Sequence, residues 1–212
     1  MYKTLLILFF FPIILSAQEV AILKYDGGGD WYANTTAVPN LIKFCNENIA
    51  TKINEKPSTV EAASIDIFNY PIVFMTGHGN IYFDETAVDN LKSYLTSGGF
   101  LHISDNYGLD VYVRREFEKV FPNLEFQEIP YNHPIYHQTF DFENGVPKIH
   151  EHENKAPQGF GLFYEGELIC FYDFESDLSD GWENEAVHND PKDIREKALK
   201  MGANIIEYAF TN

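Results

Sequence analysis

Short apolar runs of the kind buried in parallel sheets alternate with stretches of helical spacing, and most runs stop in a polar, often glycine-rich motif. This alternation constrains the fold strongly. Strands joined through helices lie parallel, and the helices cover both faces of the sheet. Glu19 to Tyr25 reads as the first strand, ended by Asp26-Gly-Gly-Gly-Asp30-Trp31. Val38 to Glu47 has helical spacing, with Leu41, Ile42, Phe44 and Cys45 on one apolar face. Pro71 to Met75 is a buried-type strand running into Thr76-Gly-His-Gly-Asn80. Asp84 reads as the cap of a helix that carries Val88, Leu91, Tyr94 and Leu95 and stops at Gly98-Gly99. Phe100 to Ile103 is the next strand, followed by Ser104-Asp105-Asn106, a helix from Asp110 to Phe121 and a strand from Leu124 to Ile129. Gly161 to Tyr164 and Leu168 to Tyr172 flank Glu165-Gly166-Glu167 as a hairpin, and a helix opens behind Pro191.

Ligands in parallel α/β sheets bind beyond the carboxyl ends of the strands. The polar motifs just past four strands, 26–31, 77–80, 104–106 and 132–137, are therefore expected to converge on one edge.

Length and charge bound the rest. Residues 1–17 read as a secretory signal: Lys3 is the basic start, Leu5 to Leu15 the apolar run, and Ser16-Ala17 the small-residue cut site before Gln18. The run is too short to anchor in a bilayer as a stable span; an uncleaved anchor is the alternative. Residues 18–212 suit a single domain, exported to the periplasm or secreted, with no stable membrane insertion after cleavage. The net charge of −17 disfavours nucleic acid and anionic membranes as partners. It leaves small polar molecules, cations or a protein partner. Cys45 and Cys170 read as two buried free thiols.

Four of the seven histidines, His133, His137, His150 and His152, fall in one twenty-residue stretch. Imidazole is the side chain best suited to metal ligation or proton transfer near neutral pH. His150 and His152 are the candidate metal ligands, with a zinc-like divalent ion as the implied cofactor. The spacing matches no zinc signature, and a polar loop packed over the sheet edge with His133 capping a turn is the competing reading. His78 and His133 are candidate general bases, with Asp105 orienting one of them. Asp26, Gly28, Asp30, Trp31, Asn80, Asn106 and His137 are candidate ligand-binding residues. The Asp26–Asp30 loop lacks a P-loop ending and would repel phosphate. It reads equally as a tight turn, and His78 reads equally as a histidine held by local hydrogen bonds. His102 reads as a structural strand residue. Ser104 lacks the flanking glycines of a nucleophile elbow. The acidic stretch with Asp173, Glu175, Asp177, Asp180 and Glu183 lacks an EF-hand pattern and reads as a solvated loop.

Lys24-Tyr-Asp-Gly-Gly-Gly-Asp-Trp31, Thr76-Gly-His-Gly-Asn80, Ser97-Gly-Gly-Phe-Leu-His-Ile103, Asp105-Asn-Tyr-Gly108, Asn132-His-Pro-Ile-Tyr-His137 and Met201-Gly-Ala-Asn204 resemble the bacterial domain-of-unknown-function family number 4159 over essentially all of residues 18–212. The resemblance implies a three-layer, flavodoxin-like sandwich of the class I glutamine amidotransferase type, with a mostly parallel sheet. The Gly-Gly-Phe-Leu strand and the later His-Pro-Ile also resemble trehalose-utilisation-type proteins of that fold. Amidotransferases place a Cys at the elbow and a later His-x-Glu pair. Here Ser104 or Asp105 stands at the elbow and Ile135 follows His133-Pro134, so glutaminase chemistry is not expected. The leading expectation is binding of a small polar ligand, with carbohydrate preferred, and hydrolysis as an added activity. A non-catalytic cell-envelope interaction domain and a metal-dependent hydrolase are the alternatives.

Overall fold

The computed structural model describes residues 18–151 and 154–211. The leader expected over residues 1–17 lies outside them, and no described helix is long and apolar enough to cross a membrane.

Among the described residues, seven strands form one mixed sheet in the order β2-β1-β3-β4-β7-β6-β5. They are β1 (Val20–Lys24), β2 (Ser58–Glu61), β3 (Ile72–Gly77), β4 (Phe100–Asp105), β5 (Gln127–Glu128), β6 (Gln158–Tyr164) and β7 (Glu167–Phe174). The β2, β1, β3, β4 and β7 neighbours pair in parallel, whereas β6 runs antiparallel to both β7 and β5. The sheet is therefore mostly parallel, as the strand–helix alternation predicts. All of β4 is buried, because it lies in the middle of the sheet with both faces covered.

The helices divide between the faces. On one face α1 (Ala37–Asn48) and α5 (Lys192–Thr211) enclose Leu41, Ile42, Phe74, Phe171 and Ile205. On the other, α2 (Glu85–Thr96) and α3 (Asp110–Val120) enclose Leu23, Met75, Leu91, Ile103 and Phe117. Cys45 and Cys170 are buried free thiols, the first in the α1/α5 core and the second in the α2/α3 core. Burial pushes both thiols up, so neither forms a thiolate readily.

Most elements follow their local chemistry. The Asp84 side chain accepts from Ala87 N at 2.8 Å and starts α2. Glu165 and Gly166, at φ 52° and 95°, form the two-residue turn between β6 and β7. Two expectations change. The strand expected from Leu124 to Ile129 pairs only over Gln127–Glu128. The edge strand β2 carries too little apolar pattern to show in the sequence, with only Val60 buried.

The crossovers place a topological switch. The β1-to-β2 connection passes through α1 on one face, and the β3-to-β4 connection through α2 on the other. The crevice between the carboxyl ends of β1 and β3 is where such sheets place ligands.

Close approach of α1 and α5 depends on Gly202. A Cβ there would stand 2.6 Å from Leu41 Cδ1 and 2.7 Å from the Trp182 ring. Gly202→Val is expected to lower stability by about 1–3 kcal/mol through overpacking, read as a lower urea midpoint with an unchanged slope.

Candidate functional site

The Asp26–Asp30 loop and the 77–82 loop are laced together at the switch. Gly29 N donates to Asn80 O at 2.9 Å, Asp30 N to His78 O at 3.2 Å and Tyr82 N to Asp26 O at 2.7 Å. Asn80 Nδ2 returns a bond to Gly27 O at 2.9 Å. The glycines serve this approach. A Cβ on Gly27, which has φ +112°, would meet Tyr82 N at 2.7 Å, and one on Gly29 would meet Asn80 O at 2.8 Å. Gly28 faces open space. From α3, Arg115 clamps the second loop through Asn80 Oδ1 and Ile81 O, and Glu116 accepts from Phe83 N at 2.8 Å. Burial opposes the Glu116 charge, but hydrogen bonds from Lys119, Phe83 N and Arg115 prevail and hold its carboxyl below the usual range.

On this platform His78 Nδ1 lies 3.1 Å from Asp30 Oδ2, and the His78 backbone N–H also donates to Asp30. Both side chains are reachable from solvent, at 54% and 37% exposure. Beside them Trp31 packs into the α2/α3 core, and its ring meets Tyr32 edge-on at 5.5 Å. Tyr32 is 62% exposed.

The other candidates are dispersed. Asp105 is buried on the α2/α3 side, where Leu109 N donates to Oδ1 at 3.1 Å and Tyr172 OH to Oδ2 at 3.3 Å. Burial raises its pKa. His133 does not reach the edge. The chain folds back across the α1/α5 face after β5, and the His133 ring lies 5.5 Å from Tyr208 and 6.0 Å from Phe163. Its Nδ1 accepts from Ile135 N at 3.2 Å, capping a 3₁₀ turn. Burial lowers its pKa. His137 is tied locally to Asp141 Oδ1 at 3.0 Å and Tyr131 O at 2.8 Å, and these two bonds raise its pKa. The segment 132–137 is thus a cover over the sheet, not a wall of the edge. His152 lies outside the described residues.

The place expected for 132–137 is taken by the loop after β7, which corrects the solvated acidic reading. Asp173, Glu175, Asp177 and Glu183 are all buried. Each has a counterpart from distant sequence. Asp173 Oδ2 meets His102 Nε2 at 2.7 Å, and its Oδ1 accepts from Ser104 Oγ at 3.1 Å and Leu178 N at 3.3 Å. Glu175 faces Lys148 at 3.3 Å. Glu183 Oε1 accepts from Thr36 N at 2.8 Å and Ala37 N at 3.1 Å, placing a carboxylate at the positive end of α1. Glu175 and Asp177 hold left-handed φ of 56° and 54°, a conformation non-glycine residues reach at a cost.

A polar web joins this loop to the edge. Asn106 Nδ2 donates to Asn34 Oδ1 at 3.0 Å, and Asn34 Nδ2 donates to Ser179 Oγ at 2.8 Å and Asp180 Oδ1 at 2.6 Å. Beneath it a cavity of about 20 Å³, room for roughly one water, is bounded by Asn34, Thr76, His102, Ser104, Ser179 and Trp182. Ser104 Oγ donates to Asp173 and accepts from Ser179 N, and the side chain is buried, so it is held as an internal link and not presented to a substrate. A broad concavity of about 850 Å³ opens between the 140–148 segment and Lys197 and Lys200 of α5, and its described lining holds neither His nor Cys.

Sequence reasoning missed Asn34 and His188, and it placed Asp173 and Asp180 only in a solvated loop. His188 ends the short helix α4 (Glu185–His188), and its ring lies 5.0 Å from that of His150. The only trace of this group in the sequence is the acidic run followed by His188-Asn189-Asp190.

The profile of the family described as "Domain of unknown function (DUF4159)" matches residues 19–210. The chain belongs to this family. No curated protein matches it. Membership of DUF4159 agrees with the motifs at 24–31, 76–80 and 132–137. It assigns no chemistry to them, so the geometry alone separates the Asp30–His78 pair at the edge from the covering role of His133.

Burial pushes the His102 imidazole down to about 3 and the Asp173 carboxyl upward, so one proton stays between Nε2 and Oδ2 while the ring is neutral. His150 moves the other way, to about 9, because the hydrogen bonds its ring donates to Asp180 and then Asp190 outweigh its burial. In an NMR titration from pH 8 to pH 4, His102 is expected to keep the shifts of neutral imidazole. An unperturbed histidine protonates near ~6.5.

Proposed function

We propose that this chain is an exported binding domain for a small polar ligand, with carbohydrate the preferred class. Its framework is read as a flavodoxin-like sandwich of the class I amidotransferase type that lacks the amidotransferase nucleophile. The observation that carries this reading is the solvent-accessible Asp30–His78 pair at the switch between β1 and β3. A carboxylate and an imidazole offer acceptors and donors to hydroxyl groups. The exposed Tyr32 ring beside them offers an apolar face for the C–H surface of a sugar. The rigid lacing of the 26–30 and 77–82 loops supports pre-organised binding.

Export is supported by the leader-like residues 1–17. Hydrolysis has weaker support: Asp105 lies under Tyr172 rather than behind His78, so no second carboxylate orients the imidazole beyond Asp30 itself.

Calorimetric titration against a panel of neutral and acidic mono- and oligosaccharides tests the reading. Saturable binding is expected, weakened about 10–100-fold in Asp30→Ala and in His78→Ala through loss of a charge-assisted hydrogen bond, with unchanged circular dichroism. Binding to no sugar, or binding that both substitutions leave intact, would overturn it.

A further inference from the structure

We propose that His150, Asp180 and His188 form a binding site for one divalent first-row transition ion of the zinc type. The site shares no residue with the Asp30–His78 pair and does not depend on the ligand reading. The three residues offer two imidazole nitrogens and one carboxylate oxygen that all lie within 4.8 Å of one another. His150 Nδ1 is 3.2 Å from Asp180 Oδ2, and His188 Nε2 is 3.8 Å from the same oxygen. Ligands bound at about 2.0–2.2 Å in a tetrahedron stand about 3.3–3.6 Å apart. The observed spacings bracket that value, so small side-chain rotations complete the set.

Donor type agrees with donor spacing. Two imidazoles and a carboxylate suit zinc, iron(II) or cobalt(II), whereas calcium and magnesium favour all-oxygen shells. Asp177 Oδ2, 3.6 Å from His150 Nδ1, stands close enough to supply a fourth ligand.

The strongest indication is what surrounds the ligands. A metal-bound histidine typically gives its other ring N–H to a carboxylate or carbonyl, which fixes tautomer and orientation. His150 does this: Nδ1 turns to Asp180 and Asp177, while Nε2 lies 2.9 Å from Asp190 Oδ1. Asp180 is oriented likewise, since Asn34 Nδ2 holds Oδ1 at 2.6 Å and Oδ2 faces the two imidazoles.

The backbone delivers these groups from three places. Ile149 N donates to Ser176 O at 2.9 Å and Ser176 Oγ to Pro147 O at 2.7 Å, seating His150 over the buried loop. Asn189, at φ 60°, reverses the chain so that His188 and Asp190 both reach His150. The His188 side chain keeps 31% of its exposure, which leaves the ion a way in.

The test is zinc uptake by the full chain after EDTA stripping and dialysis, with stoichiometry from elemental analysis, affinity from chelator competition, and cobalt(II) absorption for geometry. About one equivalent of zinc per chain is expected, with visible cobalt d–d bands of a four-coordinate nitrogen–oxygen site and a rise in melting temperature. Asp190→Asn should weaken binding about 10–100-fold, and Asp180→Asn and His188→Ala should weaken it more. His188 is surface-placed, so His188→Ala should keep its circular dichroism and its EDTA-treated melting temperature. Asp30→Ala should leave uptake unchanged. Zinc stoichiometry near zero, or equal affinity in wild type, Asp180→Asn and His188→Ala, would overturn the proposal.

Discussion

The rest of the structure hangs on Asp173, a carboxyl group with no exposure at the carboxyl end of a central strand. Placing such a group in the interior is strongly unfavourable unless its oxygens are satisfied. His102 and Ser104, two residues apart on β4, and Leu178 N in its own loop do so. This locks the register of β4 against β7 at the point where the parallel sheet would otherwise end in a loose connection. It also turns the chain inward, so residues 175–183 run under the edge instead of over it. Trp182 then fills the space between α1, α5 and the His102 ring, with its Nε1 donating to Ala198 O at 2.8 Å. One buried carboxyl thus couples the sheet, the loop and two helices.

The remaining acids of the loop extend this logic outward. Glu183 takes over capping that Thr36 does not provide, so α1 begins only where the loop is in place. Asn34, left-handed at φ 57°, joins the 30–36 loop to Ser179 and Asp180, while Asp30 in the same loop faces His78. The Asp30–His78 pair at the β1–β3 switch and the His150 group are therefore two ends of one continuous scaffold, with polar side chains between them at hydrogen-bonding distance.

The framework was largely legible in the sequence. Helical and strand periodicity located α1, α2, α3, the strands β1, β3 and β4, and the β6–β7 hairpin, because each carries its own apolar face or buried run. His102 as a strand residue was also legible, since local chemistry decides it, whereas His133 as a turn cap stood only as the reading that competed with a general base. The acidic loop was not. Its charges read as solvated because the groups that answer them, the start of α1, Lys148 and the β4 histidine, lie far away in the chain. The histidine cluster misled for the same reason: proximity in sequence put His133 beside His150, whereas the fold lays His133 against Tyr208 and brings His188 to His150. Burial of a charge is a property of tertiary partners, and no window of the sequence contains them.

The two thiols carry a quieter consequence. Cys45 and Cys170 belong to cores on opposite faces of the sheet, so the backbone of the sheet itself stands between the two sulfurs. A bridge needs its Cα atoms within roughly 7 Å, a separation the intact layers do not permit. The folded layers therefore hold Cys45 and Cys170 apart as two separate thiols, and neither core is stapled to the other by a covalent link.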